Sequence, residues 1–178
     1  KHIGNSVSVY GSADADVLGH ETPLSIFIRR KAGLNQKFAE ALWGDVGFLP
    51  TLVQYHPSEK FFESVDGELV FTAQSGIPLI RYNIHDRGQI IRHKTIAAAL
   101  AKFGYVKEAK KYGLQRWKMP FLTLAGRNDV AVTFYGLNIY PENIKAGLED
   151  SSVARYVTGK FITFTKSVNR EKSQKLII

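Results

Sequence analysis

The chain has 178 residues, 44% hydrophobic and 12% aromatic, enough to build the core of one or two domains. It has no cysteine, which excludes disulfides, thiolate metal sites and a cysteine nucleophile. The net charge of +8 is concentrated in residues 102–118 and 155–178, each with six basic residues against one glutamate, so the remainder is about −2.

Val7-Ser8-Val9-Tyr10 alternates as a strand, and Ser25-Ile26-Phe27-Ile28 is an apolar run of strand length. Residues 32–42 suit a short helix with Leu34, Phe38, Ala41 and Leu42 on one face. Further strands are expected at 48–55, 68–72 and 89–92. Gly44, Gly47, Pro57, Gly67, Gly76, Pro78 and Gly88 punctuate them at the spacing of a small barrel or sheet. Residues 95–103 read as a helix capped by Thr95, striped by Ile96, Ala99, Leu100 and Phe103, and stopped by Gly104. Beyond Gly126, residues 130–134 read as a strand and 136–138 as a turn. Pro141 suits the first turn of a helix in which Ile144 and Leu148 share a face, and 161–165 with 175–178 form a hairpin. These elements predict an α+β protein with a domain boundary near 127–129. Lys1-His2-Ile3-Gly4 runs without an initiator methionine into a strand, and Ile177-Ile178 closes inside another, so an excised fragment is expected. No run reaches the ~18 apolar residues of a membrane span and no signal peptide is visible, which favours the cytoplasm.

Several short motifs follow one another in a definite order. They are Tyr10-Gly11-Ser12-Ala13-Asp14, then Gly67-Glu68-Leu69-Val70-Phe71-Thr72 leading through Arg81-Tyr82 to His85-Asp86, then Gly126-Arg127-Asn128-Asp129. Tyr135-Gly136-Leu137-Asn138 and Tyr140-Pro141-Glu142-Asn143-Ile144 complete the set. In this order they resemble the nucleotide-binding and hinge motifs of the adenylate-forming acyl-CoA synthetases, most closely the phenylacetate-coenzyme A ligase branch. Residues 1–126 would then be the strand-rich end of the large AMP-binding domain with its barrel-like subdomain. Residues 127–178 would be the hinge and the start of the small α+β C-terminal domain.

The resemblance assigns roles that suit the residue types. A ribose diol needs a carboxylate that accepts two hydroxyl hydrogen bonds, charge-assisted bonds of roughly 1.5–3 kcal/mol each, and Asp86 holds that place. Taken alone, Asp86-Arg87-Gly88 would be ordinary turn chemistry. Arg127 offers a rigid fork of donors to ribose and phosphate oxygens and stabilises charge during adenylate formation; its alternative is a surface ion pair with Glu142 or Asp129. Asp129 matches the hinge position and Gly136 the backbone beside the coenzyme A channel, each with a plain loop alternative. Tyr10 would stack on adenine beside Gly11, and Asp14 would replace the glutamate that holds Mg²⁺, a methylene shorter. Ala13 departs from the family's hydroxyl residue.

Three further departures bound the reading. The helix and basic segment over 94–118 are expected to be an insertion. No Gly/Ser/Thr-rich phosphate loop is present, and Thr158-Gly159-Lys160 follows the hinge too soon for the catalytic lysine. His2, His20, His56, His85 and His93 have no metal-ligand spacing. The implied function is part of an ATP-dependent ligase that joins a small carboxylate to coenzyme A through an acyl-adenylate, with ATP, Mg²⁺ and coenzyme A as cofactors and a homodimer left open. A carrier-protein or amine acceptor is the first alternative, and a non-enzymatic basic binding module the second. The basic segments are solvated faces or phosphate-attracting patches; nucleic acid is disfavoured because no zinc-finger, RRM or helix-turn-helix signature accompanies them.

Overall fold

A computed structural model of the chain describes residues 7–44, 49–127, 132–134, 137–150, 152–168 and 173–178. The chain divides into two compact units, Lys1–Ala125 and Gly126–Ile178. Among the described residues, no helix is long and apolar enough to cross a membrane.

The first unit begins with β1 (Val9–Ser12) and β2 (Asp16–His20), then α1 (Pro23–Leu34), α2 (Gln36–Trp43) and β3 (Thr51–Gln54). It continues with β4 (Lys60–Val65), β5 (Glu68–Gln74), β6 (Pro78–Ile91), α3 (His93–Lys102), α4 (Val106–Lys111) and β7 (Phe121–Arg127). The seven strands form one mostly antiparallel sheet in the order β1-β2-β3-β7-β6-β5-β4. With the helices this gives the α+β class.

The run Ser25-Ile26-Phe27-Ile28 is helical, not a strand. Thr22 explains the outcome: its Oγ1 accepts from the Ser25 amide at 3.2 Å while its own amide donates to Ser25 Oγ at 2.8 Å, and Pro23 fills the first helical position. Leu24, Phe27 and Ile28 then fall on the buried face at helical spacing. The helix expected over 32–42 is broken at Asn35, which ends α1 and whose Oδ1 accepts from the Phe38 amide to start α2. The α3 helix forms as expected, although Thr95 is not its cap; Arg92 stands there without a side-chain cap. Gly104, at φ +76°, follows its end.

The sheet has a core on each face, because side chains alternate along its strands. Leu52 and Phe121 face the helices with Leu24, Ile28, Phe38, Ile96, Leu100 and Leu114. Val53 and Leu122, one residue along, face the inner cluster of Tyr10, Leu18, Phe62, Leu69 and Phe71. The segment expected to be an insertion thus supplies Ile96, Ala99, Leu100, Ala109 and Leu114 to a core.

The second unit contains β8 (Val132–Phe134), β9 (Leu137–Ile139), α5 (Pro141–Leu148), β10 (Phe164–Val168) and β11 (Ser173–Ile177). Residues 137 and 138, expected in a turn, are strand residues, because Phe134 pairs with Leu137 and Thr133 with Asn138. Pro141 opens α5 as expected. The hairpin forms with Phe164 opposite Ile177 and Val168 opposite Ser173.

Candidate functional site

In a flat sheet β1 would lie four strand spacings from β6, roughly 19 Å. Tyr10 on β1 nevertheless donates its hydroxyl to Asp86 Oδ2 on β6 at 2.7 Å. A second bond crosses in the opposite sense, from the Tyr82 hydroxyl on β6 to Asp14 Oδ2 in the β1–β2 turn at 3.0 Å. Ser75 Oγ donates to the Asp14 carbonyl at 2.9 Å and Lys60 Nζ to the Ala15 carbonyl at 3.3 Å. The sheet is therefore curled so that β1 and its turn close onto β4–β6.

Two bulges in β6 set these side chains. Opposite Thr72 the strand carries an extra residue, with Arg81 at φ +49° and its amide donating to Thr72 Oγ1 at 3.0 Å. Opposite Leu69 it carries two extra residues, with His85 at φ +63°. The His85 amide donates to Asn83 Oδ1 at 2.7 Å, Asn83 Nδ2 donates to Glu68 Oε2 at 2.7 Å, and His85 Nδ1 lies 3.2 Å from that same oxygen. This outer network holds the backbone from which Asp86 turns inward. Gly88 lies inside β6, not in a turn; a Cβ there would collide with the Thr123 carbonyl and Leu69.

Tyr10 is 8% exposed, with its ring in the inner core, so the face expected to stack on adenine is covered in this state. Gly11 lies at the bulge between β1 and β2, where a Cβ would sit 2.5 Å from the Asp16 carbonyl oxygen, so glycine is required there. Asp86 is half-buried and Asp14 exposed. The Tyr82 phenol is held above its ordinary value, first by its hydrogen bond to the Asp14 carboxylate and then by that carboxylate's charge.

Sequence reasoning gave Tyr82 no role of its own, although it stands in the Arg81-Tyr82 motif. Among the described residues no group of three or more His, Asp or Glu side chains could hold a metal ion. Mg²⁺ shared between one carboxylate and substrate phosphates does not need such a group, and the exposed Asp14 suits that arrangement. The Arg127 side chain, Asp129 and Gly136 lie outside the described residues. In the second unit Gly126, at φ +91°, lies directly against the Glu142 carboxylate and leaves no room for a Cβ. The six basic side chains of 102–118 are all exposed, and the one acid among them, Glu108, pairs with Lys31 of α1 at 2.8 Å. Comparison with family models, with curated proteins and with solved structures finds no match.

Proposed function

We propose that the chain supplies part of the nucleotide site of an ATP-dependent carboxylate-activating ligase of the adenylate-forming type. The observation that supports this reading most directly is the Tyr10–Asp86 hydrogen bond. A phenol O–H and a ribose O–H are the same kind of donor, so Tyr10 holds, in this state, the bond that a ribose hydroxyl would make to Asp86. The motif order read from the sequence supplies the rest.

The reaction would proceed in two steps. A carboxylate oxygen of the substrate attacks the α-phosphorus of ATP, a new P–O bond forms, and the bond to pyrophosphate breaks. The thiol sulfur of coenzyme A then attacks the acyl carbon, its proton goes to solvent or a base, and AMP leaves. Asp86 fixes the ribose, Arg127 offsets phosphate charge, and Asp14 holds Mg²⁺, which when bound neutralises the polyphosphate. Asp129 would serve as the hinge and Gly136 would line the coenzyme A channel.

The test is a titration of AMP into the chain, followed by NMR of backbone amides. With only part of a site present, affinity is expected near 1 mM, about −4 kcal/mol, with shifts around Tyr10 and residues 84–88. Asp86→Ala should abolish these shifts, and Tyr10→Phe should strengthen binding several-fold by removing the competing donor. Equal AMP affinity in the native chain and Asp86→Ala would overturn the assignment.

A further inference from the structure

We propose that the outer face of α1 carries a second, separate ligand site, for a monoanionic amphiphile such as a medium-chain carboxylate. Ile26, Arg29, Arg30, Gly33 and Leu34 follow one another at helical spacing and, with Glu21 and Leu49, line a cavity of about 460 Å³. That volume lies within the range of small-molecule sites. The lining combines two guanidinium groups with apolar walls that face water, Leu34 being 87% exposed and Leu49 39%.

Charge decides the ligand class. Glu21 is only 2% exposed; its Oε1 receives Arg29 Nη1 at 3.2 Å and its Oε2 receives the Ser8 amide at 2.8 Å. Arg29 also donates Nε to the Pro50 carbonyl at 2.8 Å, which fixes the guanidinium on the cavity wall. Of its five donors, three are left without a partner among the described residues. Arg30 has no ion-pair partner there, so two arginines against one glutamate leave a single positive charge among the described lining residues. A carboxylate can accept from the Nη donors that Arg29 has left, and Arg29 is already held in place for it.

Gly33 makes the room. A Cβ at this position would meet only Leu49 Cδ2, at 3.6 Å, so the absent side chain is open cavity and not a crowded approach. A hydrocarbon chain lying over Gly33 would cover Leu34 and Leu49 while its carboxylate reaches Arg30 and Arg29. The site lies on the helical side of the sheet, whereas Tyr10 and Asp86 belong to the inner side, so it stands independently of the ligase reading.

Octanoate is the probe, titrated into the whole chain by calorimetry at low salt. Octanoate should bind at least about tenfold more tightly than octan-1-ol, which lacks the charge, and than acetate, which lacks the chain. Arg30→Gln should weaken octanoate about tenfold, with helicity unchanged by circular dichroism. Gly33→Leu should weaken octanoate at least about tenfold by occupying the space over which its chain would lie, and because leucine favours helix more than glycine this variant should fold at least as well. Asp86→Ala should leave octanoate affinity unchanged, which separates this site from the nucleotide site. No octanoate binding up to about 10 mM, equal binding of octanol, or native-like affinity in Gly33→Leu would each overturn the proposal.

Discussion

Replacing Tyr10 by phenylalanine tests the closure of the sheet with the smallest chemical change. The ring stays in the inner core, where Tyr10 is 8% exposed, so packing is kept and only the hydroxyl bonded to Asp86 is lost. A hydrogen bond to a charged group contributes about 1.5–3 kcal/mol, and Asp86 is half-buried, so water can replace part of it and the lower end applies. Tyr10→Phe should therefore destabilise the first unit by about 1.5 kcal/mol. Asp86→Ala removes the acceptor and its other contacts, so the singles alone do not isolate the bond. The double-mutant cycle does, and its coupling should be about 1–1.5 kcal/mol. Trp43 and Trp117 both lie in the first unit, so urea unfolding followed by tryptophan fluorescence reports on that unit without the second. Coupling below about 0.3 kcal/mol, within ordinary additivity error, would mean that the two side chains do not meet in solution and that β1 does not close on β6.

Gln54→Leu should cost about 2–4 kcal/mol in the same unfolding assay, because buried Gln54 accepts from Thr22 Oγ1 at 2.6 Å and donates to the Met119 carbonyl at 3.0 Å, leaving polar groups unsatisfied; native-like stability would refute this. Gly88→Ala should destabilise by about 1–3 kcal/mol or more, since the added methyl meets the Thr123 carbonyl, and a chevron midpoint unchanged from native would contradict the close approach. For Tyr82, the folded-state pKa is raised, so the neutral phenol is favoured by folding; its contribution is complete below the ordinary value of about 10 and is lost as pH rises through the folded value. Phenolate absorbance should show a late-titrating tyrosine that moves down in Asp14→Asn, and an unmoved titration would break the Tyr82–Asp14 link.

The sequence was legible where a signal was local. The Pro141 helix start and the Gly104 helix stop follow from residue chemistry and the stripe of Ile96, Ala99 and Leu100 from spacing, and each is found in the structure. The strand expected at Ser25–Ile28 fails because a four-residue apolar run suits either class, while the Thr22-Pro23 start that decides the matter lies just outside the run. The β4–β5 hairpin has a strong local signal that the expected strands do not include. Asp66 at φ +50° and Gly67 at φ +82° form the two-residue connection that lets Val65 oppose Glu68, and Asp-Gly is the dipeptide such turns prefer. For the site, the motif resemblance nominates Asp86 and Tyr10 separately, as candidates. That one would bond the other is a consequence of sheet curl, and no pattern within either segment encodes it.

β6 shows why a strand is expected only at its end, over 89–92, and what the irregularity before it gains. Leu79 and Tyr82 both pack on the inner core although they stand three positions apart, a spacing that strict alternation would send to opposite faces. The extra residue at Arg81 restores Tyr82 to the inside. The second bulge sets residues 84–86 opposite Leu69, so that Ile84 stays in the inner cluster while Asp86 turns toward Tyr10. A regular strand would have offered Leu69 a single inward neighbour, and the sheet would have had to choose between an apolar contact and a carboxylate. Two left-handed residues, Arg81 and His85, each of a type for which that conformation is strained by order 1 kcal/mol, let the strand have both. His85→Gly should accordingly keep the fold, because glycine adopts φ +63° freely, and forfeits only the exposed contact between His85 Nδ1 and Glu68. Relief of strain is offset by the extra entropy that glycine gives the unfolded chain, about 0.4–1 kcal/mol, and by the lost surface pair, so the variant should stay within about 0.5 kcal/mol of the native chain in urea. A loss of more than about 1 kcal/mol would show that the Glu68–His85 contact, and not the backbone geometry alone, holds Asp86 in place.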